Sequence, residues 1–326
     1  MIPLSVLDLV PVREGGSVGE ALAEAAQAAQ AAEAAGYKRF WVAEHHGMEG
    51  IAGGATSVVL AHIGQATRTI RIGAGGIMLP NHNPFVIAEQ FGTLEALFPG
   101  RIDLGLGRAP GADGRIAQAL RKDLMQAAND FPKDVVELQA RLRGYPPLPV
   151  AATPGTGAEV ELWILGSSLF GAQLAAMLGL PYAFASHFAP AQLDAALKLY
   201  RERFEPSEEL DRPHVMAAMT VICADTDAEA RYLSSSLDQS FVALRTGTPG
   251  RMKPPLADYR ESLPAEALAM LRHMDQARAV GSPATVRDAI TAFIERTQAD
   301  EIIVAGATWD PAARRRSLQL IADAMR

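Results

Sequence analysis

Phe40-Trp41-Val42-Ala43-Glu44-His45-His46-Gly47 is an apolar, strand-like run that stops abruptly at one carboxylate and two adjacent imidazoles. Titratable groups at the end of a buried strand are where α/β barrels place their chemistry. Histidine, whose unperturbed pKa lies closest to neutrality, suits proton transfer there. Side chains alternate along a strand, so His45 shares a face with Trp41 and Ala43, and His46 shares the other with Glu44. That parity directs His45 inward, over the space Ala43 leaves, and offers Glu44 as the acceptor that orients His46. It also sets the two imidazoles on opposite faces, where they do not easily share one metal. With no cysteine or His-x-x-x-His set nearby, no metal is expected.

Working outward, seven more short apolar runs follow the same pattern: Ile2–Val10, Ile70–Met78, Arg101–Gly107, Glu161–Leu165, Pro181–Ser186, His214–Cys223 and Glu301–Ala305. Helix signals lie between them. Ser17–Ala35 is rich in Ala, Glu and Gln and is stopped by Gly36. Pro84 suits a first helical position and is followed by Ile87, Phe91, Leu94 and Phe98 at helical spacing. Ser282-Pro283 reads as an N-cap followed by Pro at the first helical position. Eight strand–helix alternations in 326 residues predict a (β/α)8 TIM barrel, a single domain over 1–326. The rival, a doubly wound sheet, needs a Gly-rich dinucleotide turn after its first strand, and Pro11-Val12-Arg13-Glu14-Gly15-Gly16 is not one. Leu142–Val160 and Arg245–Pro264, rich in Pro and Gly, read as loop insertions at the C-terminal face, of the kind that form lids or binding loops.

Composition narrows the function classes. Hydrophobic residues make up 49% and charged residues 21%, enough for a sizeable core. A formal net charge of −7 argues against a general nucleic-acid surface. Arg314-Arg315-Arg316 reads as a solvated helix face. The lone Cys223 sits in an apolar run as a small core residue. Neither a signal peptide nor a bilayer-length apolar stretch is evident, so a cytoplasmic, non-membrane protein is expected.

Two further patterns point to a ligand. On strands three and four, Gly73, Gly75, Gly105 and Gly107 alternate with isoleucine and leucine, which predicts four missing side chains on the interior face. That makes a hollow for a flat ligand, unless the glycines merely relieve crowding. Gly166-Ser167-Ser168 leads from a strand into a helix start, where N–H groups and the helix dipole favour an anion, with ordinary N-capping as the alternative. Arg108, just beyond strand four, could balance the charge. His82 and His187 follow strands three and six and belong at the mouth. His62 and His273 read as structural, and His214 begins strand seven at the other end of the barrel.

Taken together, Trp41–His46, Gly75–Pro80, Gly100–Arg108 and Gly166–Ser168 resemble the bacterial luciferase-like flavin monooxygenases, in the right order over nearly the whole chain. The resemblance implies a barrel binding FMN at the C-terminal strand ends. Its phosphate would meet Arg108, Ser167 and Ser168 beside Gly166, and its ring would lie against Gly75 and Gly76, where family members can carry a cis peptide. His45 matches the catalytic histidine, with His46 beside it. The implied reaction uses reduced FMN and O2 to oxygenate a small-molecule substrate, such as an aldehyde or an aromatic or polyketide-like compound. The partners would be a separate NAD(P)H:flavin reductase and a second copy of the chain in a homodimer. Departures from the light-emitting relatives, Gly107 for a reactive cysteine and Ser167 for an acidic residue, withhold those residues' roles. F420-dependent hydride transfer and non-catalytic flavin binding are the alternatives.

Overall fold

The computed structural model describes residues 2–108, 118–120, 123–146 and 148–326. Its strands are β1 (Leu4–Asp8), β2 (Arg39–Val42), β3 (Arg71–Met78), β4 (Ile102–Gly107), β5 (Glu161–Gly166), β6 (Tyr182–Phe184), β7 (Val215–Cys223), β8 (Arg278–Gly281) and β9 (Glu301–Ala305). All pair in parallel. β1 to β7 are neighbours in sequence order, and β9 joins β7 back to β1, so eight strands close a (β/α)8 TIM barrel. The sequence reading found those eight but missed β8, a four-residue strand that pairs only with β7, outside the closed ring. Its short Ala279-Val280 core carries too little alternation to stand out.

Local chemistry explains the helix boundaries. Val18–Ala35 begins with a capping box between Ser17 and Glu20 and ends where Gly36 takes φ 87°, a left-handed conformation that costs glycine little. Pro84–Leu97 begins at Asn83, whose side chain accepts from the Phe85 N–H at 2.9 Å.

Two apolar layers follow from strand alternation. Phe40, Val42, Ile72, Ala74, Ile102, Leu104 and Ile164 face outward and pack under the helices. Leu7, Trp41, Ala43, Trp163, Ala183, Met216, Ala218, Ile303 and Ala305 fill the barrel interior. Trp41 and Trp163 meet edge to face at 5.4 Å and form the girth of that interior.

Below the tryptophans, at the N-terminal end of the strands, lies a layer of buried charge. Arg39 faces Asp103 at 2.9 Å, Glu161 at 3.0 Å and Glu301 at 3.1 Å. Arg71 donates to Asp103, Lys38 reaches Glu301 at 3.1 Å, and Ser5 donates to Glu301. His214 lies here too, 3.9 Å from Glu301, as expected of a residue at the start of β7.

Two expectations are corrected. Leu142–Val160 is not at the C-terminal face. It continues the helix Leu124–Arg143 into β5, whose first residue, Glu161, belongs to the N-terminal charge layer, so this segment lies at the opposite end from the strand tips. There Gly155 packs against Gly92 of the helix Pro84–Leu97. The basic run is not uniformly solvated either. Arg315 and Arg316 are on the surface, but Arg314 is buried and pairs at 2.9 Å with Asp8, the last residue of β1. An i, i+1, i+2 triplet on a helix points in three directions, and one of them here is the barrel.

Candidate active site

β2 ends at Val42, and the chain crosses the rim with Ala43 N–H on the Asp8 carbonyl and Glu44 N–H on the Gly76 carbonyl. Glu44 is buried and receives three groups. Its Oε1 lies 2.5 Å from His46 Nε2 and 2.8 Å from His82 Nε2, and its Oε2 accepts from the Met78 N–H at 3.0 Å. Burial alone would raise the Glu44 pKa, but His82, His46 and Met78 together hold it below the usual carboxylate value. The Glu44–His46 contact is the one strand parity indicated. His82 is the addition: the loop after β3 carries it in from 38 residues away in sequence, and no local pattern announces that.

Glu44, His46 and His82 also place their ligand atoms within 4.8 Å of one another, a spacing compatible with a metal ion. The sequence reading found no such set because it lacked His82. Both imidazole nitrogens already lie at hydrogen-bonding distance from one carboxylate oxygen, so N–H donation accounts for the cluster.

His45 takes the other face. Its Nδ1 is buried and has no hydrogen-bond partner among the described residues. Burial pushes its pKa below the ordinary imidazole value, with Glu44 opposing and His46 adding to the effect. His187, beyond the end of β6, is its counterpart. His187 Nδ1 is likewise buried with no partner among the described residues, and burial plus the nearby His45 push its pKa down to about 4. Two uncharged imidazoles therefore stand at the mouth, each with a ring nitrogen that no described residue engages.

The glycine hollow is smaller than the strand pattern suggested. A methyl on Gly73 would meet the Asp103 carbonyl at 2.5 Å, and one on Gly75 would meet Leu7 at 2.7 Å and Trp41 at 3.0 Å. A methyl on Gly105 would meet the Ala74 carbonyl at 2.5 Å and run into Leu165. These three glycines admit neighbouring side chains, which is the crowding alternative. A methyl on Gly107, by contrast, meets among the described residues only the Ile77 carbonyl, at 3.7 Å. The Gly75–Gly76 peptide is cis, at the step where the β3–β4 register shifts.

Gly107 pairs with Leu165, which brings Arg108 beside Gly166. The Arg108 guanidinium lies 4.0 Å from the Phe170 ring, and Phe170 is the second residue of the helix Leu169–Leu178. Ser168 is that helix's N-cap residue and makes no side-chain capping bond, which leaves first-turn N–H groups without that acceptor. The strand pairing therefore places Arg108 on the same rim as Gly166, Ser167 and Ser168. The sequence also marks Gly111–Phe131 as a loop where specificity would reside, and part of it, residues 111–117 and 121–122, lies outside the described residues.

Arg245–Pro264 does reach the strand tips. Arg245 stacks on Phe188, just after His187. Met252 then exchanges backbone bonds with Val12 and Glu14, Gly250 packs on Gly50, and Arg251 pairs with Glu49 at 2.9 Å. The segment therefore runs from the rim after β6 to the rim after β1 and β2. A separate cavity of about 440 Å³, lined by Tyr232, Asp238, Leu256, Tyr259, Arg260 and Arg278, includes none of the mouth residues.

A family model described as luciferase-like monooxygenase matches residues 2–301. A luciferase-like monooxygenase of Escherichia coli K12 is 47% identical over 324 residues, covering 99% of this chain and 96% of the relative. The N-acetyl-S-alkylcysteine monooxygenase of Bacillus subtilis is 35% identical over 256 residues, 76% of this chain and 75% of its own. Among solved structures, apo-MsnO8 aligns with a TM-score of 0.87 at 33% identity, covering 99% of this chain and 98% of that one. More distant structures share the fold. The oxygenating constituent of 3,6-diketocamphane monooxygenase from Pseudomonas putida, in complex with FMN, has a TM-score of 0.72 at 20% identity over 98% and 96% of the chains. An F420-dependent secondary alcohol dehydrogenase has 0.70 at 16% over 100% and 99%. Matched nearly end to end, on a barrel whose strand tips gather these histidines, the chain belongs to the luciferase-like monooxygenase family of oxidoreductases.

Proposed function

We propose that this enzyme is an FMN-dependent monooxygenase that oxygenates a small organic substrate with O2, taking reduced FMN from a separate NAD(P)H:flavin reductase. The carrying observation is the placement of an anion-ready rim and a buried imidazole nitrogen that no described residue engages at the same end of one barrel. The residues fit the cofactor: Arg108 offers charge, Ser168 a hydroxyl that makes no capping bond and Gly107 no side chain, as a phosphorylated flat ring system requires. When bound, reduced FMN supplies the electrons that activate O2.

The chain's own residues do the rest. Arg108 and the Ser167–Ser168 turn bind phosphate by charge and N–H donation. His45, kept neutral by burial, can hold or accept a proton at Nδ1 beside the reacting oxygen. Glu44 fixes His46 and His82, and so shapes the rim that His45 shares. The Arg245–Pro264 segment limits water at the mouth. The likeness to a protein described as an oxygenating constituent supports a separate reductase, and the homodimer is part of the same reading.

Titration of the flavin-free protein with FMN, followed by single turnover with reduced FMN, O2 and candidate thioether, aldehyde and aromatic substrates, tests the proposal. Arg108→Ala should weaken FMN binding at least tenfold. His45→Ala should keep FMN affinity within twofold while turnover falls by roughly 10²–10⁴. Unchanged turnover would remove His45 from the mechanism. The second reading, F420-dependent hydride transfer, has the shared fold in its favour, and tight F420 binding without FMN binding would replace the first.

A further inference from the structure

We infer that Arg245 is the substrate-recognition residue of this site and that the substrate is anionic, in its simplest form an organic carboxylate. The inference rests on the mouth being the active site and adds the chemical class of what enters it.

The first observation is that Arg245 is uncommitted where its neighbours are not. Within the same segment Arg251 pairs with Glu49, and Arg260 pairs with Asp238 and Asp275. Among the described residues no carboxylate pairs with Arg245. Its one hydrogen bond is a long one, 3.5 Å from Nη2 to the Phe188 carbonyl. A guanidinium has five N–H donors, so nearly all its capacity is left over.

The second observation is that Arg245 is nonetheless held in place. Its guanidinium sits 4.9 Å from the Phe188 ring centroid and 5.0 Å from that of Phe241. Two aromatic contacts restrain the planar fork without consuming its donors, which preserves its match to a carboxylate. The third is location. Phe188 directly follows His187, which lies near enough to His45 for that ring to disfavour its charged form. An acid held by Arg245 over the exposed Phe188 ring would extend its apolar body toward those imidazoles.

Arg108 offers an internal contrast. It also stacks on a phenylalanine, but at a helix N-terminus whose serine makes no capping bond, a setting for phosphate. Arg245 has aromatic surface around it and no helix start, which suits a carboxylate on an apolar body.

The test is calorimetric titration of the flavin-free protein with two matched pairs, phenylacetate against phenylacetamide and octanoate against octanamide. At least one carboxylate should bind tenfold or more tightly than its amide. Arg245→Met should abolish that preference, Arg245→Lys should restore part of it, and FMN affinity should be unchanged in both variants. Equal binding within both pairs, binding of none of the four, or a preference that survives Arg245→Met would overturn the inference. So would weakened FMN binding in Arg245→Met, which would make Arg245 a phosphate ligand. A carboxylate preference that depends on Arg245 in a protein that does not bind FMN would instead sink the flavin reading and leave this one standing. Thermal melts of both variants confirm that they are folded.

Discussion

The two ends of the barrel are built from the same residue types and use them in opposite ways. At the N-terminal end, Arg39, Arg71, Asp103, Glu161 and Glu301 lie within a few ångströms of opposite charges. At the C-terminal end, His45 and His187 keep buried ring nitrogens that have no hydrogen-bond partner among the described residues, and Arg108 and Arg245 stack on phenylalanine rings. Buried polar groups normally find partners. The ion-paired layer supports the fold, and the uncharged imidazoles of the other end mark the end we propose receives a ligand. Glu44 is the intermediate case, a saturated carboxylate at the open end that holds two other side chains in position.

The sharpest way to break this comparison is to exchange the consequences. Arg39→Met should cost about 3–5 kcal/mol in denaturant unfolding, because Asp103 and Glu301 are left buried without their shared cation. His45→Ala should leave stability within about 1 kcal/mol while abolishing most turnover. If Arg39→Met were neutral in stability, the view of the lower end as structural would fail.

Two glycines on the same face of β4 sharpen the boundary. Gly105→Ala should destabilise by about 1–3 kcal/mol, since the added carbon meets the Ala74 carbonyl at 2.5 Å as well as Leu165. Gly107→Ala should change stability by no more than about 0.5 kcal/mol and should instead weaken FMN binding, measured by fluorescence titration.

Acid lability should arise in two windows, one for each end. Unfolded His187 takes up a proton as pH falls through about 6.5, whereas the folded residue does so only near 4. The unfolded state therefore binds more protons between those values, and stability drops as pH falls across them. Burial opposes the Glu301 charge, yet His214, Arg39, Lys38 and Ser5 hold its pKa down to about 2, against 4.5 when unfolded. Its stabilisation is present above about 4.5 and is lost as pH falls toward 2. His187→Phe should thus gain about 1 kcal/mol relative to wild type at pH 5.5, compared with pH 7.5. Glu301→Gln should flatten only the lower window. Glu44→Gln, whose amide has a single acceptor oxygen for three donors, should lower stability by about 1–3 kcal/mol and broaden the NMR signals of His46 and His82 as they lose a charged acceptor.

Much of this was legible in one dimension. Eight barrel strands, the inward face of His45, the Glu44–His46 contact and the Arg108–Ser168 rim all follow from alternation and helix-start chemistry, which act over a few residues. Other features were not. β8 is too short to show a period, and Leu142–Val160 reads as a mouth loop until the direction of its preceding helix is known. Arg314 reads as surface until its partner Asp8 is found.

The sequence by itself determined which residues could carry chemistry and which strand faces they occupy, because side-chain parity is a property of the local backbone. Only the tertiary structure decided what stands beside them: His82 on Glu44, His187 near His45, Phe188 under Arg245. Those partners come from loops after different strands. Closing the barrel brings them together, and no local rule encodes a distance that depends on every strand in the ring.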